Sequence, residues 1–378
     1  MRMANQNLKG KRVVLGLSGG VDSAVAAILL LDEGAEVHAL HMTNWEDDDA
    51  YCTAAEDLQD ARKVCERLNI PFHSANFAKE YRDEVFEYFL DGYRASRTPN
   101  PDVLCNRKIK FGVFRAYAHR LGGEFIATGH YARTSLLDNH TALLKAVDRS
   151  KDQSYFLHAV SEEALADTLF PLGELHKNKV RRIAREYGLD VYDKKDSTGI
   201  CFIGERPFRE FLATYIPENP GEIQTPDGAI VGEHHGLMYY TQGQRQGLGI
   251  GGRKNSENTP WYVAGKDVDR NVLIVVQGNH SLRYSEGLIG SGARWINGIP
   301  AALEKDESFD CAVKIRYRQS DQACRISCNG DALRVDFEAA QADVTPGQFA
   351  VFYNDERCLG GAVIEHGFRH EEALPKTI

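Results

Sequence analysis

The first 130 or so residues alternate short β-branched runs with longer stretches whose apolar residues recur at helical spacing, a pattern that predicts a parallel sheet flanked by helices. Strands are expected at 11–17, 36–42, 71–75 and 124–128, with helices at 21–33, 54–68, 79–95 and 107–121. Val64, Cys65 and Leu68, or Val85, Phe86 and Phe89, carry the helical spacing. Helical character is expected to persist through 153–187, until the run DKKDSTGICFIGERPF breaks the periodicity with small and polar residues. That break reads as a functional loop before a short helix near 207–215.

Beyond Pro217 the pattern changes to glycine turns and β-branched runs such as WYVAGKDVDRNVLIVVQG, CAVKIRYRQ and QFAVFYN. The remainder is therefore expected to be mostly β, with a new set of strands from about 283 that suits a small closed barrel. The resulting fold class is a doubly wound α/β domain over 1–215, a small mostly-β domain over 216–282 and a C-terminal β-barrel over 283–378.

Size and composition agree with this division. A chain of 378 residues exceeds what one core usually supports, and 43% hydrophobic with 26% charged residues is typical of globular domains. The opening residues lack the apolar run of a secretory leader, and no stretch approaches the roughly 18 apolar residues of a membrane span. A cytoplasmic location with no membrane partner is expected. Eight cysteines in such a chain then point to reduced thiols rather than a disulfide framework.

The net charge of -9 argues against a protein that coats nucleic acid without selectivity, because that affinity accumulates with positive charge. Local basic runs remain: Arg94, Arg97, Arg107, Lys108 and Lys110 around Asp102, and Lys177, Lys179, Arg181, Arg182 and Arg185.

The strongest local motif is Gly16-Leu17-Ser18-Gly19-Gly20-Val21-Asp22-Ser23, where a strand ends in a glycine turn that opens a helix. Backbone N–H groups at such a turn bind anions, and Ser18 and Ser23 add hydroxyl donors. The motif has no lysine, which excludes a Walker loop, and it lacks the dinucleotide glycine spacing. It resembles instead the PP-loop of ATP pyrophosphatases, a resemblance that implies cleavage of ATP between the α and β phosphates. Two further turns suit a nucleotide crevice: backbone near Met42 for adenine, and Gly129 for close approach of ribose or base.

Two cysteines stand out. In Arg97-Thr-Pro-Asn-Pro-Asp-Val-Leu-Cys-Asn-Arg107 the prolines are expected to fix an exposed loop, with Asn106 capping the helix that follows. Cys105 would then sit at a helix N-terminus beside Arg107 and Lys108 as a reactive thiolate. Cys201 lies in a glycine-bounded loop suited to a thiol that carries a group between partners. Cys324 and Cys328 share one face of a strand, but no second pair with ligand spacing accompanies them, so no metal site is expected. Cys52, Cys65, Cys311 and Cys358 read, like them, as packing or surface residues, and Glu46 to Asp49 as a solvated acidic loop.

Taken together, SGGVDS, NPDVLCNRKIKF, ATGHYAR, KDQSYFL, DSTGICFIG, YTQGQRQGLGI and TPGQFAVFY resemble the tRNA-specific 2-thiouridylase (MnmA) family across nearly the whole chain. The resemblance implies an ATP-dependent sulfurtransferase acting on the wobble uridine of tRNA. By matching position it assigns Gly16 to Ser23, Met42 and Gly129 to ATP, with Mg2+ as the companion cation. Cys105 becomes the nucleophile and Cys201 the persulfide carrier, joined in a transient Cys105–Cys201 disulfide. Asn100, Pro101 and Asp102 would touch the target base, Asp102 as a catalytic group. His130, Lys151, Asp152, Gln153, Arg316, Tyr317 and Gln348 would contact tRNA, with the barrel as part of the RNA seat. A sulfur-donor protein, a cysteine desulfurase or a relay, is implied as a second partner. Two rival readings are a PP-loop ligase transferring nitrogen, and an ATP-sensing RNA-binding protein without catalysis.

Overall fold

A computed structural model describes residues 7–45, 54–195, 207–250, 259–330 and 332–369. Cys201, Cys52 and the acidic run Glu46 to Asp49 lie outside the described residues.

The N-terminal part contains β1 (Arg12–Gly16), β2 (Glu36–Thr43), β3 (Phe72–Asn76), β4 (Phe125–Ala127), a hairpin of β5 (Ala132–Leu137) and β6 (His140–Lys145), and β7 (Thr168–Leu169). Five of these form a parallel sheet in the order β3-β2-β1-β4-β7. Its central strand β1 is apolar on both faces, with Val13, Val14 and Leu15 fully buried, as expected when helices cover both sides of a parallel sheet. Chain order runs outward from β1 in both directions, so the switch point lies between β1 and β4.

The four expected strands and the helices Val21–Asp32 and Ala54–Leu68 are present within two residues of their expected ends. Two expectations are corrected. The stretch 153–187 is not one helical run: short helical turns at Ser154–Leu157 and Glu162–Ala166 precede β7, and only Lys177–Glu186 forms a longer helix. Strand β7 is missed because its two buried residues, Thr168 and Leu169, are too few to show a period.

The central part holds β8 (Gly221–Gln224), β9 (Ile230–His234), β10 (Trp261–Asp267) and β11 (Val272–Gln277), in the order β10-β11-β8-β9. The C-terminal part holds β12 (Tyr284–Trp295), β13 (Phe309–Lys314), β14 (Gln322–Asn329), β15 (Ala332–Ala342), β16 (Phe349–Asn354) and β17 (Arg357–Phe368). These run β12-β15-β14-β13-β16-β17, and the pairing of β12 with β17 closes the sheet into a six-stranded barrel. Leu288, Val313, Ile326, Val335, Phe352 and Ile364 fill its interior.

The N-terminal hairpin does not pair with the parallel sheet. Strand β6 pairs with β17, Arg357 opposite Leu144 and Cys358 opposite Leu143, so the hairpin extends the barrel sheet. Lys145 is clamped there by Asp321 and by the Asp355 carbonyl and lies over the Tyr353 ring, with Lys314 3.6 Å from Asp321 and 3.9 Å from Asp152. Among the described residues no helix is long and apolar enough to cross a membrane.

Candidate active site

The glycine loop leaves β1 at Gly16 and enters the helix Val21–Asp32 through Gly20, which caps it without any side-chain bond. The first N–H groups of that helix are thus left to an incoming anion. Gly19 has φ +83° and sits where a Cβ would lie 2.2 Å from the Asp57 carbonyl oxygen, so only glycine fits both backbone and neighbour. Ser23 is almost fully buried; its Oγ accepts from Ser18 N at 3.2 Å and donates to the Gly20 carbonyl at 3.1 Å, which preforms the loop.

Met42 is the penultimate residue of β2, partly buried against the apolar cluster that contains Leu40. Gly129 follows β4 across the switch point. A Cβ there would lie 2.8 Å from Ser23 N and 3.0 Å from the Asp22 carbonyl carbon, so the close approach this glycine permits is that of the phosphate loop's own backbone.

The segment around Cys105 departs from expectation. Its helix starts at Pro101, not Asn106, with Asn100 as N-cap and the fixed φ of proline suiting the first helical position. Pro99 and Pro101 are buried rather than exposed. Asn106 lies inside the helix, 3% exposed, and donates from Nδ2 to the Phe156 carbonyl. Cys105 is correspondingly a turn into the helix and 1% exposed, packed in the cluster of Val103, Ile109 and Phe114. The helix widens into a π-type stretch over Cys105–Phe114, a local unwinding frequent at functional sites.

Asp102 is half-buried, and desolvation raises its carboxyl pKa from the ordinary carboxylate value, with the Lys110 ammonium opposing. His130 is buried; desolvation first, and Lys110 second, hold its pKa well below the usual histidine value, so it is a neutral imidazole. Its Nδ1 meets Thr128 Oγ1 at 2.8 Å, its Nε2 lies 3.5 Å from Lys110 Nζ, and its ring packs near Phe111 and Phe170. Lys110 therefore meets His130 directly and acts electrostatically on Asp102, and His130 follows Gly129, which packs on the glycine loop. Asn100 Oδ1 is buried and finds no hydrogen-bond partner among the described residues, an acceptor left for a donor brought by a ligand.

The remaining expected RNA contacts are spread along the junction of the units. Asp152 is 4% exposed and accepts from Ala146 N and Ser154, so it shapes the Lys151–Gln153 turn from inside. Gln153 Oε1 accepts from Tyr131 N, and Tyr317 packs 4.4 Å from the Phe156 ring while its hydroxyl reaches the Lys151 carbonyl at 3.4 Å. Arg316 is exposed and donates to the Gln242 and Asp343 carbonyls. Gln348 donates to the Thr98 carbonyl, which residue chemistry alone gave no reason to expect. The basic runs are not a bare positive face: Arg94 pairs with Asp91, Arg97 with Glu365, Lys108 with Glu84 and Arg182 with Glu186.

The cysteines expected to pack do so: Cys65, Cys324 and Cys358 are buried, and Cys311 Sγ lies 3.6 Å from Cys324 Sγ across β13 and β14. Among the described residues no group of three or more His, Cys, Asp or Glu side chains is placed to hold a metal.

Fold and site together define an α/β protein with an anion-binding loop at its switch point, joined to two β units. Family models match its three parts in order: a tRNA methyl transferase HUP domain over 11–205, a tRNA methyl transferase PRC-barrel domain over 209–277 and an aminomethyltransferase β-barrel domain over 285–364. A tRNA-specific 2-thiouridylase MnmA from Hahella chejuensis is 57% identical over 96% of this chain and 99% of its own length. Relatives of the same name from Pseudomonas fluorescens and Marinobacter nauticus are each 55% identical, covering 96% and 97% of this chain and 96% and 94% of their own. Among solved structures, a U34-tRNA thiolase from Methanococcus maripaludis matches 56% of this chain and 66% of its own at 19% identity and a TM-score of 0.36, a distant likeness only. The chain belongs to the tRNA-specific 2-thiouridylase (MnmA) family.

Proposed function

We propose that the chain uses ATP to adenylate the C2 oxygen of the wobble uridine of a tRNA and replaces that oxygen with sulfur, giving 2-thiouridine. One observation carries the reading: the lysine-free glycine loop at the switch point packs on Gly129, the next residue His130 meets Lys110, and Lys110 acts electrostatically on Asp102 of the Asn-Pro-Asp-Val-Leu-Cys helix. ATP bound at Gly16 to Ser23, with Mg2+ as its companion cation, would lie beside these polar side chains.

The target uridine must leave its stack to enter, since C2 oxygen is inaccessible in a stacked loop. Asn100 Oδ1 is available to a donor on the base. The uridine C2 oxygen attacks the α-phosphorus, the bond to the bridging oxygen breaks, and pyrophosphate leaves with the electron pair. N3 loses its proton in that step, and Asp102, whose raised pKa suits it to take and return a proton, is its acceptor. The terminal sulfur of a persulfide on Cys201 then attacks C2 and AMP departs. Cys105 thiolate attacks the Cys201 sulfur, closing a Cys105–Cys201 disulfide and releasing the thiouridine, with N3 reprotonated. A donor protein reloads Cys201, and a thiol reductant reopens the disulfide.

In this reading residues 1–215 are catalytic, 216–282 link, and 283–378 help seat the RNA with Lys151, Gln153, Arg316, Tyr317 and Gln348; the enzyme works in the cytoplasm. Neither an amide-forming ligase nor a non-catalytic ATP sensor is favoured, because relatives alike over the full length share one thiouridylase name. The deciding experiment is mass analysis of nucleosides from tRNA incubated with the protein, ATP and a sulfide source. Thiouridine at the wobble position is expected, and its absence under working controls would overturn the reading.

A further inference from the structure

A loop that binds polyphosphate through backbone N–H and hydroxyl groups alone gains much from one nearby cation, and this loop encodes none. It carries Asp22 in the first turn of its helix, a negative charge at the mouth of an anion site. Such a carboxylate opposes phosphate binding unless a cation offsets it.

The structure supplies that cation from 155 residues further on. Lys177 Nζ lies 2.7 Å from both carboxylate oxygens of Asp22, and the Tyr131 hydroxyl donates to Asp22 Oδ1 at 2.8 Å. The lysine is held at both ends. Its backbone N–H donates to Asp148 Oδ2 at 3.0 Å, and its ammonium lies 5.8 Å from the centre of the Tyr131 ring. Its side chain is 12% exposed. A second lysine near the loop is differently placed: Lys194 donates to the Gly19 carbonyl and is offset by both Asp57 and Asp60, so it fixes the loop's shape.

Building on the ATP-using reading above, we infer that Lys177 is the phosphate-binding cation of this site, contacting the β and γ phosphates of ATP and the pyrophosphate that leaves, with Asp22 and Tyr131 as its positioning partners. On ATP binding the ammonium is shared between Asp22 and the phosphates. Its charge offsets that gathering on pyrophosphate as the α-phosphorus bond breaks.

The test is calorimetry on the full chain with ATP, AMP and inorganic pyrophosphate as separate ligands. Lys177→Met is expected to lower ATP and pyrophosphate affinity by about tenfold or more, the scale of a charge-assisted hydrogen bond, with AMP affinity within about twofold of wild type and Lys177→Arg recovering most of the loss. An equal loss for AMP would reduce Lys177 to a structural residue, and no loss for any ligand would remove it from the site. If Lys177→Met does not fold, wild-type protein is treated with an amine-acylating reagent and mapped by mass spectrometry. ATP and pyrophosphate, but not AMP, should then protect Lys177; no protection, or equal protection by AMP, overturns the inference. Wild type that binds no ATP would instead sink the nucleotide reading of the loop itself.

Discussion

Lys266 lies on β10, and its ammonium donates a 2.7 Å hydrogen bond to the carbonyl of Ser96, just before the segment that leads to Asp102. Burial disfavours its charged form and lowers its pKa from 10.5 to about 8. Between those values the folded chain binds fewer protons than the unfolded chain, so this group's contribution to stability rises with pH there. Below about 8 the full cost of burying the ammonium is present. The separation corresponds to roughly 3 kcal/mol, an upper bound because water reaches part of the side chain. From about pH 7.5 to about pH 9.5, the stability of wild type relative to Lys266→Met should rise by about 2 kcal/mol.

Direct titration is the cleaner assay, since a chain of several domains need not unfold in one step. With lysine Cε isotopically labelled, one resonance should titrate near pH 8, far from the bulk near 10.5, and vanish in Lys266→Arg. Titration of every lysine above about pH 9, with a pH-independent stability difference, would refute the reasoning. The same titration replaces a charge-assisted bond to Ser96 with a weaker neutral one, so the segment should loosen as pH passes 8.

Three other outcomes follow from the site. Gly129→Ala places a methyl against Ser23 N and Asp22, an overpacking that costs typically about 1–3 kcal/mol, so both melting temperature and ATP affinity should fall; unchanged values would mean the two loops separate freely. Ser23→Ala removes the bond from Ser18 N and the hydroxyl proton that Gly20 accepts in the free loop and a phosphate could take in its place, and should weaken ATP binding by roughly 1.5–3 kcal/mol by calorimetry. Cys201→Ser should abolish persulfide loading, whereas Cys105→Ser should load sulfur on Cys201 yet fail to release it to tRNA; full thiolation by either variant would contradict the two-thiol route.

The parallel sheet was legible because each strand is a short apolar run between turn residues, and the glycine loop because strand, turn and helix follow one another. Signals for the Cys105 helix are also present, an asparagine cap followed by proline at the first position, but Asn106 offers a competing cap signal six residues later. The hairpin partnership was not legible: nothing in the local pattern of residues 132–145 points to a distant partner, and β17, which pairs with β6, begins more than 200 residues later. Lys177 was seen only as one charge in a basic run, because its link to Asp22 spans 155 residues. Local periodicity reports local structure, and contacts of that range are decided by packing.

That packing gives the base-facing segment its definition. Between Ser96 and Asn100 the chain receives Lys266 at the Ser96 carbonyl and Thr241 at the Thr98 hydroxyl from the central unit. From the barrel it receives Pro346 at Thr98 N, Gln348 at the Thr98 carbonyl and Glu365 at Arg97. Gly347, with φ +90°, lets the barrel backbone come close enough, since a Cβ there would lie 3.0 Å from Thr98 N. A segment without regular structure loses roughly 1–2 kcal/mol of backbone entropy per residue on ordering, and here the opposing bonds come mostly from outside its own unit. The position of Asn100 and Asp102 is therefore a property of all three units docked together, and removing the barrel would take away both hydrogen bonds to the Thr98 backbone even with the α/β sheet intact.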